Sequence, residues 1–362
     1  MMAGGLATAS QAKLTWLRFR RHRMAMVGLG IVLLMYLVAL FAEPVAPFNP
    51  DKSNARLVFH PPQMVQFFDG WAFSPHVLAY RLARDPVTLQ PRYVADGSRK
   101  VRLRFFVAGD PYKLWGLFDG TIHLIGPENA GDTVFILGAD RQGRDVLSRM
   151  IHGARASLSI GLVGVSISLV LGITLGGLSG FFGGRVDWGV QRVIEFIISL
   201  PTIPIWLALA AILPKEWSPM AIYFTITLII SLVGWTELAR VVRGRFLALR
   251  GDSFVTAAWL DGCSQGRIIF RHMLPSLTSH IIAAVTLAIP NMILAETALS
   301  FLGLGLKPPA ISWGALLREA QNVQSIAAAP WLLLPGAAVA LTVLALNFLG
   351  DGLRDAADPY AH

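Results

Sequence analysis

The chain has 362 residues, 54% of them hydrophobic and only 15% charged, against about 25% charged in soluble domains. That balance excludes an ordinary water-soluble fold and points to a bilayer as solvent for much of the chain. The net charge of +9 does not indicate nucleic acid, because the basic residues gather beside apolar runs, as they do at the cytoplasmic ends of membrane spans.

Residues 1–23 form a basic N-terminus that includes Lys13, Arg18, Arg20, Arg21 and Arg23. A first span is expected over Met24–Ala42. Its apolar run exceeds the ~7–15 residues of a signal-peptide core and no clear cleavage site follows, which favours an uncleaved helix. Residues 43–133 are rich in Pro, Asp, Arg and aromatics. Within them "GSRKVRLRFFVAGD" alternates as a half-buried strand does, "ADGS" reads as a turn, and "PYKLWGLFDGTIHLIG" reads as a strand pair around a glycine. A small, mostly β domain is expected there, outside the membrane. Residues 134–350 then carry five further spans, near Ser157–Phe182, Val190–Leu213, Met220–Ala239, Leu277–Leu299 and Ala328–Leu349. Six spans return the tail, 351–362, to the side of the N-terminus. That side is the cytoplasm by the distribution of basic residues, and residues 240–275 form a loop on it. Cys263, the single cysteine, lies in this loop and excludes an intrachain disulfide.

Gly172, Gly176 and Gly180 fall on one face of the second span, a pattern that lets helix backbones approach closely. They read as a helix-packing seam, moving or static. Pro201 and Pro204 should bend or break the third span, as in a pathway wall or an ordinary proline kink. Glu195 follows Arg192 at a same-face spacing. Glu296 lies near the outer end of the fifth span, where a carboxylate must face protein or water or be paired. Both are candidates for a pathway or gate, or for structural hydrogen bonding. No GxxxxGK[ST] loop, HExxH or CxxC occurs, so the residues offer no recognisable site for ATP or metal and no catalytic constellation.

The stretch "SFVTAAWLDGCSQGRIIFRHMLP", Ser253–Pro275, is polar and basic between two apolar spans. Asp252 or Ser253 can cap about two turns of helix, and Gly262 can end them in a left-handed conformation. Ala257 and Ala258 leave room for another surface, while Phe254 and Trp259 offer apolar anchors. So short a helix is marginal alone. It must pack on its own bundle or on a partner.

This stretch resembles the EAA loop of bacterial ABC-importer permeases through Thr256-Ala257-Ala258, Gly262 and Leu274-Pro275, with Thr256 where the family usually has Glu. Three further segments resemble dipeptide and oligopeptide permeases: "LGADRQGRDVLSRMIHGARASLSIGL", "ETALSFLGLGLKPPAISWG" and "LNFLGDGLRDAADP". The resemblance covers Leu137 to the C-terminus. The long insert after the first span is similar to the branch of microcin C and related oligopeptide importers.

The resemblance implies an all-α integral membrane protein with the six-helix fold of type I ABC-importer permeases, carrying a mostly β extracytoplasmic insert. It implies a C-type permease subunit of a multi-pass bacterial inner-membrane importer. Its partners would be a B-type permease, two ATPase subunits, an extracytoplasmic substrate-binding protein and membrane lipid. No cofactor is expected on this chain; ATP and Mg²⁺ belong to the ATPase subunits. In the family the short loop helix docks in a groove of the ATPase, which assigns coupling to Phe254, Thr256, Ala257, Ala258, Trp259, Gly262, Leu274 and Pro275. Trp313 reads as an interfacial anchor or outer-gate plug. Peptides are the expected solutes. Nickel, opine and glycoside importers share the core motifs, and a secondary transporter is the rival from another class.

Overall fold

A computed structural model describes residues 11–84, 91–129, 131–214 and 216–357. In chain order the helices begin with α1 (Gln11–Phe19), α2 (Arg23–Leu40) and α3 (Ala42–Val45). Four strands follow, β1 (Gln66–Asp69), β2 (Ala72–Arg84), β3 (Pro91–Leu114) and β4 (Phe118–Pro127). The helical part resumes with α4 (Val146–Phe182), α5 (Gly184–Ser199), α6 (Thr202–Ala211), α7 (Pro219–Leu249) and α8 (Ser253–Leu260). It continues through α9 (Gln265–Arg267), a π-helical turn at Ile268–Met273, α10 (Leu274–Ser276) and α11 (Thr278–Phe301). The last elements are α12 (Trp313–Leu317), α13 (Val323–Ala328), two short 3₁₀ turns and α14 (Leu334–Ala357). Among the described residues five helical stretches are long and apolar enough to cross a membrane, and the bent pair α5–α6 makes a sixth if counted as one span.

Two compact units share these elements. The first takes the chain up to Leu34, Leu158–Leu299 and the part from Val339 onward; the second takes Met35–Ser157 and Ser300–Ala338.

In the first unit α4 and α7 lie in close contact. A Cβ on Gly180 would stand 2.6 Å from Phe246 Cβ, one on Gly172 would meet Leu238, and one on Gly176 would run into the Ala239 backbone. Only hydrogen at these positions lets the two backbones come so near. Polar links reinforce the contact. The Ser231 hydroxyl donates to Gly164 O at 3.0 Å and the Tyr223 hydroxyl reaches Ser159 Oγ at 2.9 Å. The start of α7 is set by Ser218, whose Oγ accepts from Ala221 N, and by Pro219 in the first turn, where a missing N–H costs nothing. The third expected span is broken. Pro201 precedes α6, and α5 and α6 meet at 85°, because a ring in place of N–H cannot continue the helical ladder.

In the second unit the strands form one antiparallel meander in the order β1-β2-β3-β4. Phe48, Val77, Val101, Leu103 and Val134 make its core. The expected "ADGS" turn is instead part of β3. The register with β2 shifts where Leu78 pairs Lys100 and Ala79 pairs Asp96. Asp96 Oδ1 accepts from Ser98 N and Ser98 Oγ. The local turn chemistry is satisfied by a bulge, and the strand continues past it.

Helix α4 begins eleven residues before the expected span start (Val146 against Ser157), and polar chemistry explains this. Asp145 Oδ2 accepts from Ser148 N at 2.8 Å and Ser148 Oγ at 2.6 Å, capping the helix. Asp140 holds the preceding turn through Gln142 N and Arg144 N and pairs with Arg144 Nε at 2.6 Å. Gly143 sits at φ +69 against the Asn54 backbone. The "GADRQGRD" segment is thus a helix start built around buried charge. Burial pushes the Asp145 carboxyl up to about 6, against the pull of its bonds from Ser148. Burial, with Asp140 beside it, also raises Glu319.

Two outcomes follow from these packings. Gly176→Val should destabilise the chain by about 1–3 kcal/mol through overpacking, whereas Gly189→Ala, inside α5 and in open space, should stabilise it by about 0.4–1 kcal/mol. Thermal unfolding in detergent reads both. Asp145 binds its proton up to about pH 6 when folded but only to about 3.9 when unfolded. Stability should therefore fall as pH rises from about 4 to about 6, by up to about 3 kcal/mol, and stay level above. Asp145→Asn should lose that part of the slope.

Candidate functional site

Helix α8 follows α7 after a three-residue break, with Asp252 at its N-cap in extended conformation. Asp252 makes no side-chain capping bond; its carbonyl accepts from Val255 N and Thr256 N. The other end is tightly closed. Cys263 N bonds Ala258 O and Gly262 N bonds Trp259 O, both at 3.1 Å, with Gly262 at φ +73. This doubly bonded left-handed stop strongly favours glycine. Beyond it the chain is more helical than expected. The π turn at Ile268–Met273 and α10 carry it to Leu274, Pro275 and on into α11.

The two faces of α8 differ. Val255 and Ala258, three residues apart, are buried with Phe181, Leu238, Val242, Phe246, Ile268, Met273 and Leu277. Burying a side chain of valine size contributes about 1.5–3 kcal/mol, so this stripe fixes α8 to α4, α7, the π turn and α11. Ala258 was expected on the surface offered to a partner. At 5% exposed it is a seating residue instead, since i and i+3 share the inward face. Phe254, Thr256, Ala257 and Trp259 remain accessible. Thr256 satisfies its own hydroxyl by donating to Asp252 O at 3.2 Å. The Trp259 ring stacks on Phe181 at 6.0 Å and leaves its other side open. Leu260, 84% exposed, and Phe270 extend the apolar surface; neither is marked by the loop pattern.

The base of this platform is charged and cross-linked. Arg243 on α7 pairs with Asp187 on α5, with Nη2 to Oδ2 at 2.6 Å. Ser179 on α4 donates to the same carboxylate. Three helices therefore meet at one ion pair beside Gly180.

The remaining candidates are dispersed. Glu195 forms its ion pair with Arg192 at 2.7 Å on an exposed face of α5, where such a pair contributes little to stability. Pro201 marks the α5–α6 bend. Glu296 is wholly buried inside the first unit. Trp313 does not serve as an interfacial anchor. It is 3% exposed within the second unit, its Nε1 donating to Met150 O and its backbone N to Ser157 Oγ. Glu237 was missed. It lies inside the expected fourth span and, with Ser168 and Asn291, lines a cavity of about 380 Å³ between helices of the first unit. A carboxylate within an apolar run was the available signal.

Comparison with known proteins bears directly on these helices. Residues 172–361 match the family described as the inner membrane component of binding-protein-dependent transport systems. Residues 10–62 match the N-terminal transmembrane domain of oligopeptide transport permease C. A di/tripeptide transport system permease protein of Pseudomonas aeruginosa is 32% identical over 355 residues, 98% of this chain and 94% of that one. A dipeptide transport system permease protein of Alkalihalophilus pseudofirmus is 39% identical over 223 residues, 61% of this chain and 71% of that one. The MetNI methionine ABC transporter, solved in inward-facing conformations, aligns with a TM-score of 0.44 at 15% identity, over 58% of this chain and 96% of that chain. The family match covers α7, α8, α11 and α14 entire, and with them the platform just described: the chain belongs to the inner membrane components of binding-protein-dependent transport systems and is a permease subunit of an ABC importer.

Proposed function

We propose that this chain is the C-type permease of an importer for short peptides, paired with a B-type permease and driven by two ATPase subunits through α8. The observation that carries the coupling role is the division of α8 into a seated stripe, Val255 and Ala258, and an open apolar strip, Phe254, Ala257, Trp259 and Leu260. A helix held on one side and bare on the other transmits displacement. A neighbour that moves the open strip moves α7 and α4 with it, because close-packed side chains deform little. ATP and Mg²⁺ are held by the ATPase subunits. The N- and C-termini and α8 face the cytoplasm, and the sheet lies outside, where a binding protein delivers solute. Peptide as solute is supported by the names of the relatives at 32% and 39% identity. Glu237 and Asn291 are pathway candidates, alongside the broken span at Pro201.

The coupling test separates the two faces. Ala257→Glu with Leu260→Glu should leave the stability of the isolated chain within about 0.5 kcal/mol, as exposed changes do. The same pair should abolish co-purification with the ATPase subunits and solute-stimulated ATP hydrolysis. Val255→Ala should instead lower stability by about 1–3 kcal/mol and weaken stimulation with the complex still assembled. Full stimulation in the double variant would sink the coupling role. For the solute, uptake of a labelled tripeptide into cells carrying the complete importer should be blocked by excess unlabelled di- and tripeptides. Ni²⁺ or a glycoside should not block it.

A further inference from the structure

The hairpin tip that joins β3 to β4 is built in an unusual way. Leu114 pairs with Phe118, so the loop has three residues, Trp115, Gly116 and Leu117. Trp115 and Gly116 have positive φ, +54 and +75, and Gly116 N bonds to Lys113 O and Leu117 N to Leu114 O, both at 3.0 Å. Two successive positive-φ residues in a tight hairpin loop suit the twist of the flanking strands. Its first position normally takes Asn, Asp or Gly; a bulky residue there is strained.

The indole is held at a particular place. Trp115 Nε1 donates to Leu40 O at 2.7 Å, and its ring stands 5.8 Å from that of Phe41. Leu40 is the last residue of α2, an 18-residue helix apolar enough to cross a membrane. Its carbonyl is one of those left without a partner where a helix ends. Arg155 Nη2 supplies a second donor to the same oxygen at 3.2 Å, and its guanidinium is engaged bidentately by Glu43 at 2.7 Å. Burial is the largest influence on Glu43 and opposes its ionisation, but the Arg155 hydrogen bond, a backbone bond and the nearby Arg155 and His152 charges together hold the carboxyl below its ordinary range. The tip therefore lies beside the Leu40 end of α2.

Its outward side chains are apolar. Leu117 is 76% and Phe118 60% exposed, and Phe118 meets the Trp115 ring edge-on at 6.5 Å. One pair back along the ribbon stand Lys113 and Asp119, paired loosely at 3.6 Å and both open to solvent. Apolar residues at the point with charges one step behind match a gradient from acyl chain to head group. Tryptophan and lysine are the residues that sit at that boundary. The geometry points to this tip as a second membrane anchor, in which Trp115, Leu117 and Phe118 enter the lipid interface beside the Leu40 end of α2 and Lys113 reaches lipid phosphate. It depends on α2 crossing the bilayer and is independent of the solute and of coupling through α8.

The test uses the full chain with Cys263→Ala and a single environment-sensitive fluorophore on Leu117→Cys, in phosphatidylglycerol-containing nanodiscs. Ser98→Cys, exposed farther along β3, is the aqueous reference. The Leu117 probe should emit to the blue of the Ser98 probe, resist iodide quenching several-fold, and be quenched by lipids carrying a shallow spin label. Quenching by iodide equal to that at Ser98 would place the tip in water. Protection from both iodide and spin-labelled lipid would mean that protein covers it. Either result overturns the anchor.

Discussion

The seating of Val255 and Ala258 is the contact on which the proposed working of this subunit depends. Eight residues of helix have no stability of their own in water. They are ordered because two small side chains drop among Phe246, Ile268 and Met273. That arrangement in turn needs α7 to lie against α4, which the glycines at 172, 176 and 180 permit. The same α4–α7 approach brings Asp187, Arg243 and Ser179 together. Packing in lipid lacks a hydrophobic drive between helices, so close fit and such shared polar contacts carry more of the cohesion.

Much of this was readable in advance, and the unreadable parts have physical reasons. Glycine spacing is a face-level signal, and Gly262 and Pro201 act through backbone constraints that hold in any surroundings. Each of these four-residue or single-residue signals is local. The inward turn of Ala258 is not local: a two-turn helix has no periodicity to reveal which side is seated, and the answer comes from residues of other elements, Phe246 and Met273 and the more distant Phe181. Leu260 gives no signal of its own, because a lone leucine beside a glycine stop reads as ordinary. Asp96 and Ser98 carry real turn chemistry, but the pairing of β2 with both sides of the bulge overrides it. The early start of α4 carries no hydropathy signal, since its first turns are set by Asp145 and Ser148 rather than by apolar residues. Trp313 looked like an interface residue by type, while its indole in fact serves Met150 O inside the second unit.

The charged cluster of the second unit obeys a different logic from the apolar platform. Arg144 bridges Asp140 and Glu319, at 2.6 Å and 3.0 Å. Arg149 Nη1 donates to Pro50 O at 3.1 Å, and its Nε stands 3.5 Å from Asp140 without hydrogen-bond geometry. Buried pairs of this kind contribute little net stability, yet removing one partner leaves an expensive bare charge.

The π turn at Ile268–Met273 has a geometric consequence for everything after it. A wide turn absorbs one residue more than an α turn, and each residue of an α-helix advances the azimuth by about 100°. The side of α11 that carries Met292 and Ile293 inward is therefore aimed by that surplus residue together with the tight turn at Leu277 that precedes α11. Were the wide turn to tighten, either the Leu277 turn would have to take up the difference or α11 would have to rotate about its axis.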